Sequence, residues 1–235
     1  MFKTYKILAF IPARGGSKSI PKKNIALCGG KPLIFWTIDA AKRSKYIDRI
    51  VVSSDSLEIQ KIGTQYGAEA IKRPKHLATD KAKPEQTLSH ALNWLERRRF
   101  EPDIIIYLQP TSPLRNTEHI DKALEELIDK KAAALISVCD IEKKYLKTFI
   151  AGEQGRLKGA VNNNYPFMNR QELPDVYLPN GAIYIIYTKE FKRFGQLFVP
   201  NKTIPFIMNK DESIDIDRPE DLEIVSKIKT RQMSG

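Results

Sequence analysis

The chain has 235 residues, of which 42% are hydrophobic and 29% charged, a balance typical of a globular protein with one sizeable core. No apolar run approaches the roughly 20 residues that a membrane-spanning helix needs, and the two distant cysteines, Cys28 and Cys139, suit neither a disulfide framework nor a metal knuckle. The net charge of +11 suits nucleic acid, small polyanions or plain solubility, but the sequence has no zinc-finger spacing or aromatic RNA-binding pattern. We expect a soluble, cytoplasmic domain spanning residues 1–235, with no nucleic acid or membrane partner.

Short apolar runs rich in Ile, Val, Leu or Tyr predict buried parallel strands. They cover residues 6–11, 49–53, 103–108, 133–138 and 181–187. Helical patterns lie between the first four runs, and two of them carry apolar stripes at helical spacing. One stripe is Leu88, Ala91, Leu92 and Leu95, and the other is Ile120, Ala123, Leu124, Leu127 and Ile128. This alternation predicts an α/β fold whose ligands bind at the carboxyl ends of the strands.

The first predicted strand leads into a loop rich in glycine and positive charge, IPARGGSKSIPKKN. Gly15 and Gly16 let backbone N–H groups approach a phosphate, and Ser17 can donate a further hydrogen bond. Four side chains supply charge: Arg14, Lys18, Lys22 and Lys23. The composition favours a polyphosphate-binding loop over a basic surface turn, although neither the Walker pattern nor the dinucleotide fingerprint is present.

A second polar segment, YLQPTSPLR, ends the strand predicted at residues 103–108. Its two prolines hold the backbone extended, which would fix Gln109, Thr111 and Ser112 at the mouth of the sheet. A plain strand-to-helix connection is the alternative interpretation. The segment therefore predicts a set of hydrogen-bonding groups for a substrate.

Residues 142–180 interrupt the alternation with Gly, Pro, Asn and aromatic residues. So long a stretch without a regular period predicts a lid, an arm or an interface, and disorder is the alternative. Tyr165, Phe167 and Tyr177 would expose apolar surface if nothing covered them. We therefore expect the arm to build a homodimer.

Near the C-terminus, strict alternation in SIDID places Asp215 and Asp217 on one face and Ile214 and Ile216 on the other. Two close carboxylates repel each other unless a cation lies between them. Hard oxygen ligands beside a phosphate loop suit Mg²⁺, or Mn²⁺ in its place, whereas an exposed strand edge would need no metal. Pro219, Glu220 and the residues that follow predict a helix over 218–229, with frayed residues after it.

Five segments taken together resemble the CMP-sialic acid synthetases, or acylneuraminate cytidylyltransferases, in order and spacing. They are IPARGGSKSIPKKN, KRPKHLATDKA, YLQPTSPLR, LPNGAIYI and SIDID, and the likeness extends over residues 6–228. The resemblance implies a doubly wound, mostly parallel sheet of the nucleotide-diphospho-sugar transferase type. It also implies a protruding dimerisation arm, which we assign to residues 142–180.

The resemblance further implies a role for each matching residue. The CTP phosphates would be bound by Arg14, Ser17 and Lys23, with Gly15 in the same loop, and the cytidine by Asn24 and Arg73. The sugar acid and its carboxylate would be contacted by Gln109, Lys147, Arg170 and Tyr184, with Thr111 and Ser112 beside Gln109. Asp215 and Asp217 match the metal-binding pair. The groups acting most directly in catalysis would be Arg14, Lys23, Gln109, Asp215 and Asp217.

The implied reaction is attack by the anomeric hydroxyl of a nine-carbon keto-sugar acid on the α-phosphorus of CTP, with pyrophosphate leaving. The acid would be N-acetylneuraminic, legionaminic or pseudaminic acid. Pro84 stands where many sialic acid enzymes carry a serine near the sugar, which leaves the choice among the three acids open. A cytidylyltransferase for the eight-carbon acid Kdo, or a non-catalytic nucleotide-binding relative, is the alternative.

Overall fold

The structure is a computed structural model that describes residues 4–234. The strands, in chain order, are β1 (Ile7–Pro12), β2 (Leu27–Cys28), β3 (Lys31–Pro32), β4 (Arg49–Ser54), β5 (Glu69–Lys72), β6 (Ile104–Tyr107), β7 (Ala134–Asp140), β8 (Phe149–Ala151), β9 (Leu157–Gly159), β10 (Tyr177–Tyr187) and β11 (Thr203–Ile207). The α-helices are α1 (Leu33–Lys42), α2 (Leu57–Gln65), α3 (Pro84–Glu96), α4 (Thr117–Asp129), α5 (Thr188–Phe194) and α6 (Pro219–Ser234). None of the helices in this described part is long and apolar enough to cross a membrane.

Seven strands form the central sheet in the order β11-β7-β10-β6-β1-β4-β5. All neighbouring pairs are parallel except those of β10, which runs antiparallel to β6 and β7. The α/β prediction is confirmed, but the prediction of a parallel strand over residues 181–187 is wrong. Two further strands, β5 and β11, lie at the sheet edges, where the sequence pattern predicts none.

Helices cover both faces of the sheet because side chains alternate along each strand. Ile7, Ala9 and Ile11 of β1 pack in one buried cluster with apolar side chains of α1, α2 and α4. Leu8 and Phe10 point the other way, into a cluster with α3 and α5. Each fully buried aliphatic side chain of this kind stabilises the fold by about 1.5–3 kcal/mol. The doubly wound architecture follows directly.

A third, smaller apolar cluster supports the carboxyl end of the sheet. It contains Ile20, Cys28, Leu33, Leu114, Ile216 and Val225. Gly29 has φ +55°, and a Cβ there would lie 2.5 Å from Cβ of Lys229, so only glycine lets the β2-β3 hairpin pack this closely against α6. Burial raises the pKa of the Cys28 thiol to about 11, so this cysteine is an unreactive packing residue at neutral pH.

The predicted arm consists of short turns of 3-10 helix and the small hairpin β8-β9, and most of its side chains are exposed. Residues 213–217 form no strand, and the alternation expected there is only partial. Ile216 is buried and Asp217 is exposed, but Ile214 and Asp215 are both half-buried. The backbone of this segment is held by hydrogen bonds that include Ile216 N to Thr111 O at 2.8 Å and Asp217 N to Asp221 Oδ2 at 3.0 Å. Helix α6 continues to Ser234, through residues that we expected to fray.

Candidate active site

A cavity of about 530 Å³ lies at the carboxyl ends of β1 and β6. It is lined by Pro12, Arg14, Ser17, Lys18, Ser19, Lys23, Asn24, Arg73, Leu77, Thr79, Asp80, Ala82, Pro84, Thr87, Tyr107, Gln109, Pro110, Thr111, Asp215 and Asp217. These residues come from segments up to 205 positions apart, from residue 12 to residue 217. Parallel strands bring their carboxyl ends together at one edge of the sheet, which is where doubly wound folds bind ligands.

The loop after β1 is shaped by hydrogen bonds to its backbone. The Asn24 side chain is buried and donates from Nδ2 to the carbonyl of Arg14 at 2.9 Å. The amide of Gly15 donates to Oδ1 of Asp55 at 2.8 Å. A Cβ at Gly15 would lie 3.0 Å from Cβ of Ser56, so the loop packs closely on the end of β4. The loop thus holds Arg14 and Ser17 at the cavity wall.

Two of the loop's cations are paired with one carboxylate. Arg14 Nη1 and Lys18 Nζ each lie 2.6 Å from an Asp80 oxygen. The hydrogen bonds from Lys18 and Arg14 hold the pKa of Asp80 below its usual value. All three side chains are at least one-third exposed, with 37% exposure for Arg14 and 48% for Asp80, and such ion pairs are weak in water. Another anion can therefore replace the Asp80 carboxylate on these cations at little cost in free energy.

Arg73 contributes a buried guanidinium to the cavity. It follows β5, is 5% exposed, and donates from Nε to Ser53 Oγ at 3.1 Å and from Nη2 to Ser53 O at 2.6 Å. Burial lowers the pKa of Arg73 from its ordinary value, and the nearby Tyr107 and Asp55 partly oppose that effect. The bonds to Ser53 fix the direction of the Arg73 guanidinium.

The two carboxylates after β11 share the cavity with the cationic loop. Lys23 Nζ donates to Ile216 O at 2.7 Å and lies 3.2 Å from Asp217 Oδ1, so it ties the loop to this segment. Asp215 is half-buried, and its Oδ1 is buried with no hydrogen-bond partner among the described residues. The pKa of Asp215 is raised above its ordinary value, chiefly by burial. A hydrogen bond with Thr111 partly opposes this effect, and the nearby Asp217 carboxylate adds to it.

An unpartnered buried carboxylate oxygen beside a second carboxylate fits a hard divalent cation. No group of three or more His, Cys, Asp or Glu able to hold a metal occurs in residues 4–234. Mg²⁺ bound by Asp215 and Asp217 would therefore complete its shell with phosphate oxygens and water, as is usual for this ion. The donor set is compatible with Mg²⁺ bound together with a nucleotide.

A sequence profile described as Cytidylyltransferase matches residues 8–229. The chain belongs to this family. Three curated relatives are similar over nearly all of it: N-acylneuraminate cytidylyltransferase of Escherichia coli O18:K1:H7, pseudaminic acid cytidylyltransferase of Campylobacter jejuni, and CMP-N,N'-diacetyllegionaminic acid synthase of Legionella pneumophila. The identities are 34%, 32% and 36% over 97%, 93% and 95% of this chain. The resemblance to the acylneuraminate cytidylyltransferases is thereby confirmed.

The relatives differ in length. The match covers 53% of the Escherichia coli protein, but 94% of the Campylobacter and 96% of the Legionella proteins. Among solved structures, a CMP:2-keto-3-deoxy-manno-octonic acid synthetase complexed with CTP superposes with a TM-score of 0.73 at 18% identity, covering 97% of this chain and 99% of that one. A 4-diphosphocytidyl-2C-methyl-D-erythritol synthase from Anaerococcus prevotii has a TM-score of 0.65 at 17% identity, covering 95% and 98%. At these identities the likeness concerns the fold, and it confirms the predicted fold class.

The fold of this cytidylyltransferase brings most of the predicted site residues to one cavity. Those lining it are Arg14, Ser17, Lys23, Asn24, Arg73, Gln109, Thr111, Asp215 and Asp217. Pro84, the residue that departs from the family pattern, also lines it, at the first turn of α3.

Five predicted site residues do not line the cavity. The Gly15 amide is engaged by Asp55, and the buried Ser112 hydroxyl donates to Asn180 O at 3.3 Å. Tyr184 lies behind the wall, its ring 5.9 Å from that of Tyr107. Lys147 and Arg170 lie in the arm, where Arg170 is exposed near Asp175.

The sequence assigned no role to Asp80 and Tyr107 and gave Lys18 only a share in the charge of the loop, whereas the structure makes all three prominent in the cavity. Tyr107 is buried at the end of β6, and burial raises its pKa. All three belong to segments that the sequence singled out. Their position within those segments is what could have identified them. Tyr107 is the polar residue near the end of an apolar run, and Asp80 is the acidic residue in the basic segment KRPKHLATDKA.

Proposed function

We propose that this cytidylyltransferase transfers CMP from CTP to the anomeric hydroxyl of a nine-carbon keto-sugar acid and releases pyrophosphate. The observation that carries the proposal is the composition of one cavity. A cationic loop suited to a triphosphate faces Asp215, whose buried Oδ1 has no hydrogen-bond partner within residues 4–234. Three of the relatives are an N-acylneuraminate cytidylyltransferase, a pseudaminic acid cytidylyltransferase and a CMP-N,N'-diacetyllegionaminic acid synthase, which supports the same substrate class.

Positioning and charge neutralisation would supply most of the catalysis, because phosphoryl-type transfer asks little covalent chemistry of the protein. Arg14, Lys18 and Lys23 would bind phosphate oxygens, with Asp80 displaced from its two partners. Asp215 and Asp217 would hold Mg²⁺, which when bound stabilises charge developing on the phosphate oxygens. Asn24 and Arg73 would contact the cytidine, and Gln109 with Thr111 the sugar acid.

The substrate class is tested by offering CTP and Mg²⁺ with each of four acids and measuring pyrophosphate. We expect release with N-acetylneuraminic, legionaminic or pseudaminic acid and a clear preference for one. Pro84 lines the cavity but lacks the hydroxyl with which a serine could bind a polar substituent of the sugar. The acid preferred by the unaltered enzyme should therefore differ from the acid preferred by Pro84→Ser. Turnover of Kdo alone would contradict the proposed substrate class.

We also propose that the chain forms a homodimer through the arm, residues 142–180. The arm exposes a group of large apolar side chains: Tyr145, Phe149, Ile150, Leu157, Val161, Phe167 and Leu178. The ring centroids of Phe149 and Phe167 lie 6.3 Å apart and Phe167 is 83% exposed, so these two side chains form one exposed apolar patch. A patch of this kind on a monomer usually marks an interface.

Light scattering after size exclusion at micromolar concentration should give twice the chain mass of 26.9 kDa. Phe167→Asp should shift the population to monomer, since a charge in the centre of an apolar interface is desolvated without a partner. The matched control is Ile224→Asp, an exposed apolar residue on α6 outside the arm, which should remain a dimer. A monomer mass for the unaltered chain would exclude the proposed assembly.

A further inference from the structure

Arg115 is a fully buried guanidinium with no carboxylate beside it. Its side chain is 1% exposed, and no ion pair to it occurs in the described part of the chain. Burial lowers the pKa of Arg115 to about 9, so the group is still protonated at neutral pH. An isolated buried charge is strongly unfavourable unless hydrogen bonds replace its hydration. The presence of a buried guanidinium at this position therefore calls for a specific reason.

The guanidinium joins three parts of the fold through uncharged acceptors. Nη1 donates to the carbonyls of Gln109 at 3.2 Å and Ala182 at 3.0 Å, and Nη2 donates to Thr37 Oγ1 at 2.6 Å. Nε has no partner within residues 4–234. Arg115 therefore links α1, β10 and the start of its own loop, and it closes residues 109–115 into a ring.

Stability alone does not account for such a residue. A well-packed apolar side chain of similar volume generally stabilises a core at least as much as a buried charged group does. The acceptors that Arg115 satisfies are not scattered, because one is the backbone carbonyl of a cavity residue and another is that of the residue after the glycine packed against it. The arrangement indicates that Arg115 sets the position of that cavity residue.

That residue is Gln109, whose side chain lines the cavity while its carbonyl points back to Arg115. Gly181 has φ +73°, and a Cβ there would lie 2.5 Å from Gln109 Oε1. The carbonyl of the next residue, Ala182, accepts a hydrogen bond from the same guanidinium. Arg115 thus fixes both the backbone of Gln109 and the glycine against which the Gln109 amide packs.

We propose that Arg115 is a positioning residue for sugar-acid recognition, holding Gln109 in the direction that the sugar requires. The inference rests on the proposed function, in which Gln109 contacts the sugar. Arg115 touches no ligand itself. Losing it should therefore affect the sugar more than CTP, whose phosphate contacts come from the loop after β1.

The first test compares Arg115→Met with Lys229→Met. Lys229 is likewise a buried cation, 7% exposed, but it packs over Trp36 at 4.6 Å and has no hydrogen bond to residues 109–115. We expect Arg115→Met to raise the KM for the sugar about ten- to a hundredfold, the loss typical of a displaced hydrogen bond to a charged group. The KM for CTP should change less than about threefold, and Lys229→Met should leave both constants near their original values.

A double-mutant cycle with Gln109→Ala separates positioning from general disruption. If Arg115 acts through Gln109, Arg115→Met should have little further effect on the sugar KM in the Gln109→Ala background. An effect of equal size in both backgrounds, or no effect in either, would overturn the proposal. Should Arg115→Met fail to fold, Arg115→Lys, which keeps the charge and loses the two-pronged geometry, carries the same comparison.

A measurement without substrate keeps this inference separate from the proposed function. Hydrogen exchange followed by mass spectrometry should show faster exchange in peptides covering residues 108–116 of Arg115→Met, and unchanged exchange there in Lys229→Met. If the unaltered enzyme is inactive on every acid while Arg115→Met shows the faster exchange, the proposed function is refuted and Arg115 remains the residue that holds the loop. Unchanged exchange at residues 108–116 would refute the role of Arg115 itself.

Discussion

Asp215→Asn and Asp217→Asn should each lower kcat by about two to three orders of magnitude, the size expected when several kcal/mol of electrostatic stabilisation is removed. Both side chains line the cavity, and Asp215 Oδ1 has no hydrogen-bond partner among residues 4–234. Substituting an amide keeps the shape and removes one negative charge from the pair. Calorimetric titration with Mg²⁺ in the presence of CTP should show weaker metal binding by both variants.

Thermal stability without metal gives a second, independent readout. The pKa of Asp215 is raised by burial, so its carboxyl binds the proton more tightly in the folded than in the unfolded state. Such a group destabilises the folded state increasingly as the pH rises through the folded pKa. At pH values above the folded pKa, the Tm of Asp215→Asn should therefore equal or exceed that of the unaltered chain. This difference in Tm should become smaller in acid.

Asp211→Asn is the matched control, because Asp211 is an exposed carboxylate a few residues earlier and does not line the cavity. Its kcat, Mg²⁺ affinity and Tm should stay close to those of the unaltered chain. Unaltered turnover by Asp215→Asn at ordinary Mg²⁺ concentration would show that the pair does not hold the catalytic metal.

The sequence predicts those parts of the fold whose patterns are local. The stripes on α3 and α4 are buried as expected except for Ile128, which is half-buried, and the five apolar runs coincide with β1, β4, β6, β7 and β10. The direction of β10 could not be predicted, since an apolar run buried on both faces looks the same in parallel and antiparallel strands. Strand β11 was missed because Pro205 interrupts TIPFI, and proline is tolerated there only because the strand lies at the sheet edge.

The candidate site was predictable where one segment supplies several groups. The loop after β1, YLQPTSPLR and SIDID each carry their chemistry within a few residues, and the fold merely brings them together. Arg115 shows the limit, because arginine side chains are seldom fully buried and no local pattern marks this one. Its importance depends on acceptors 67 and 78 positions away in the sequence, which only the folded chain identifies.

Arg170→Ala should raise the KM for the sugar acid by about thirtyfold to more than a thousandfold, since losing a charge-assisted pair with a carboxylate costs roughly 2–5 kcal/mol. The KM for CTP should change little. Arg156→Ala, which removes another exposed arginine of the arm, is the matched control and should alter neither constant. Equal effects of Arg170→Ala on both substrates would contradict the assignment of Arg170 to the sugar carboxylate.

The location of Arg170 sharpens this prediction. It is exposed in the arm and does not line the cavity of its own chain, so we propose that it reaches the sugar bound by a second copy. Arg170→Ala and Asp215→Asn then damage different halves of a shared site. In a mixed dimer, the intact cavity of the first variant meets the intact arm of the second. At a sugar concentration far below the KM of Arg170→Ala, random mixing should restore about a quarter of the normal activity, because half of the dimers are mixed and each has one complete site. If Arg170 serves its own chain instead, every protomer in the mixture carries one defect, and mixing should restore nothing.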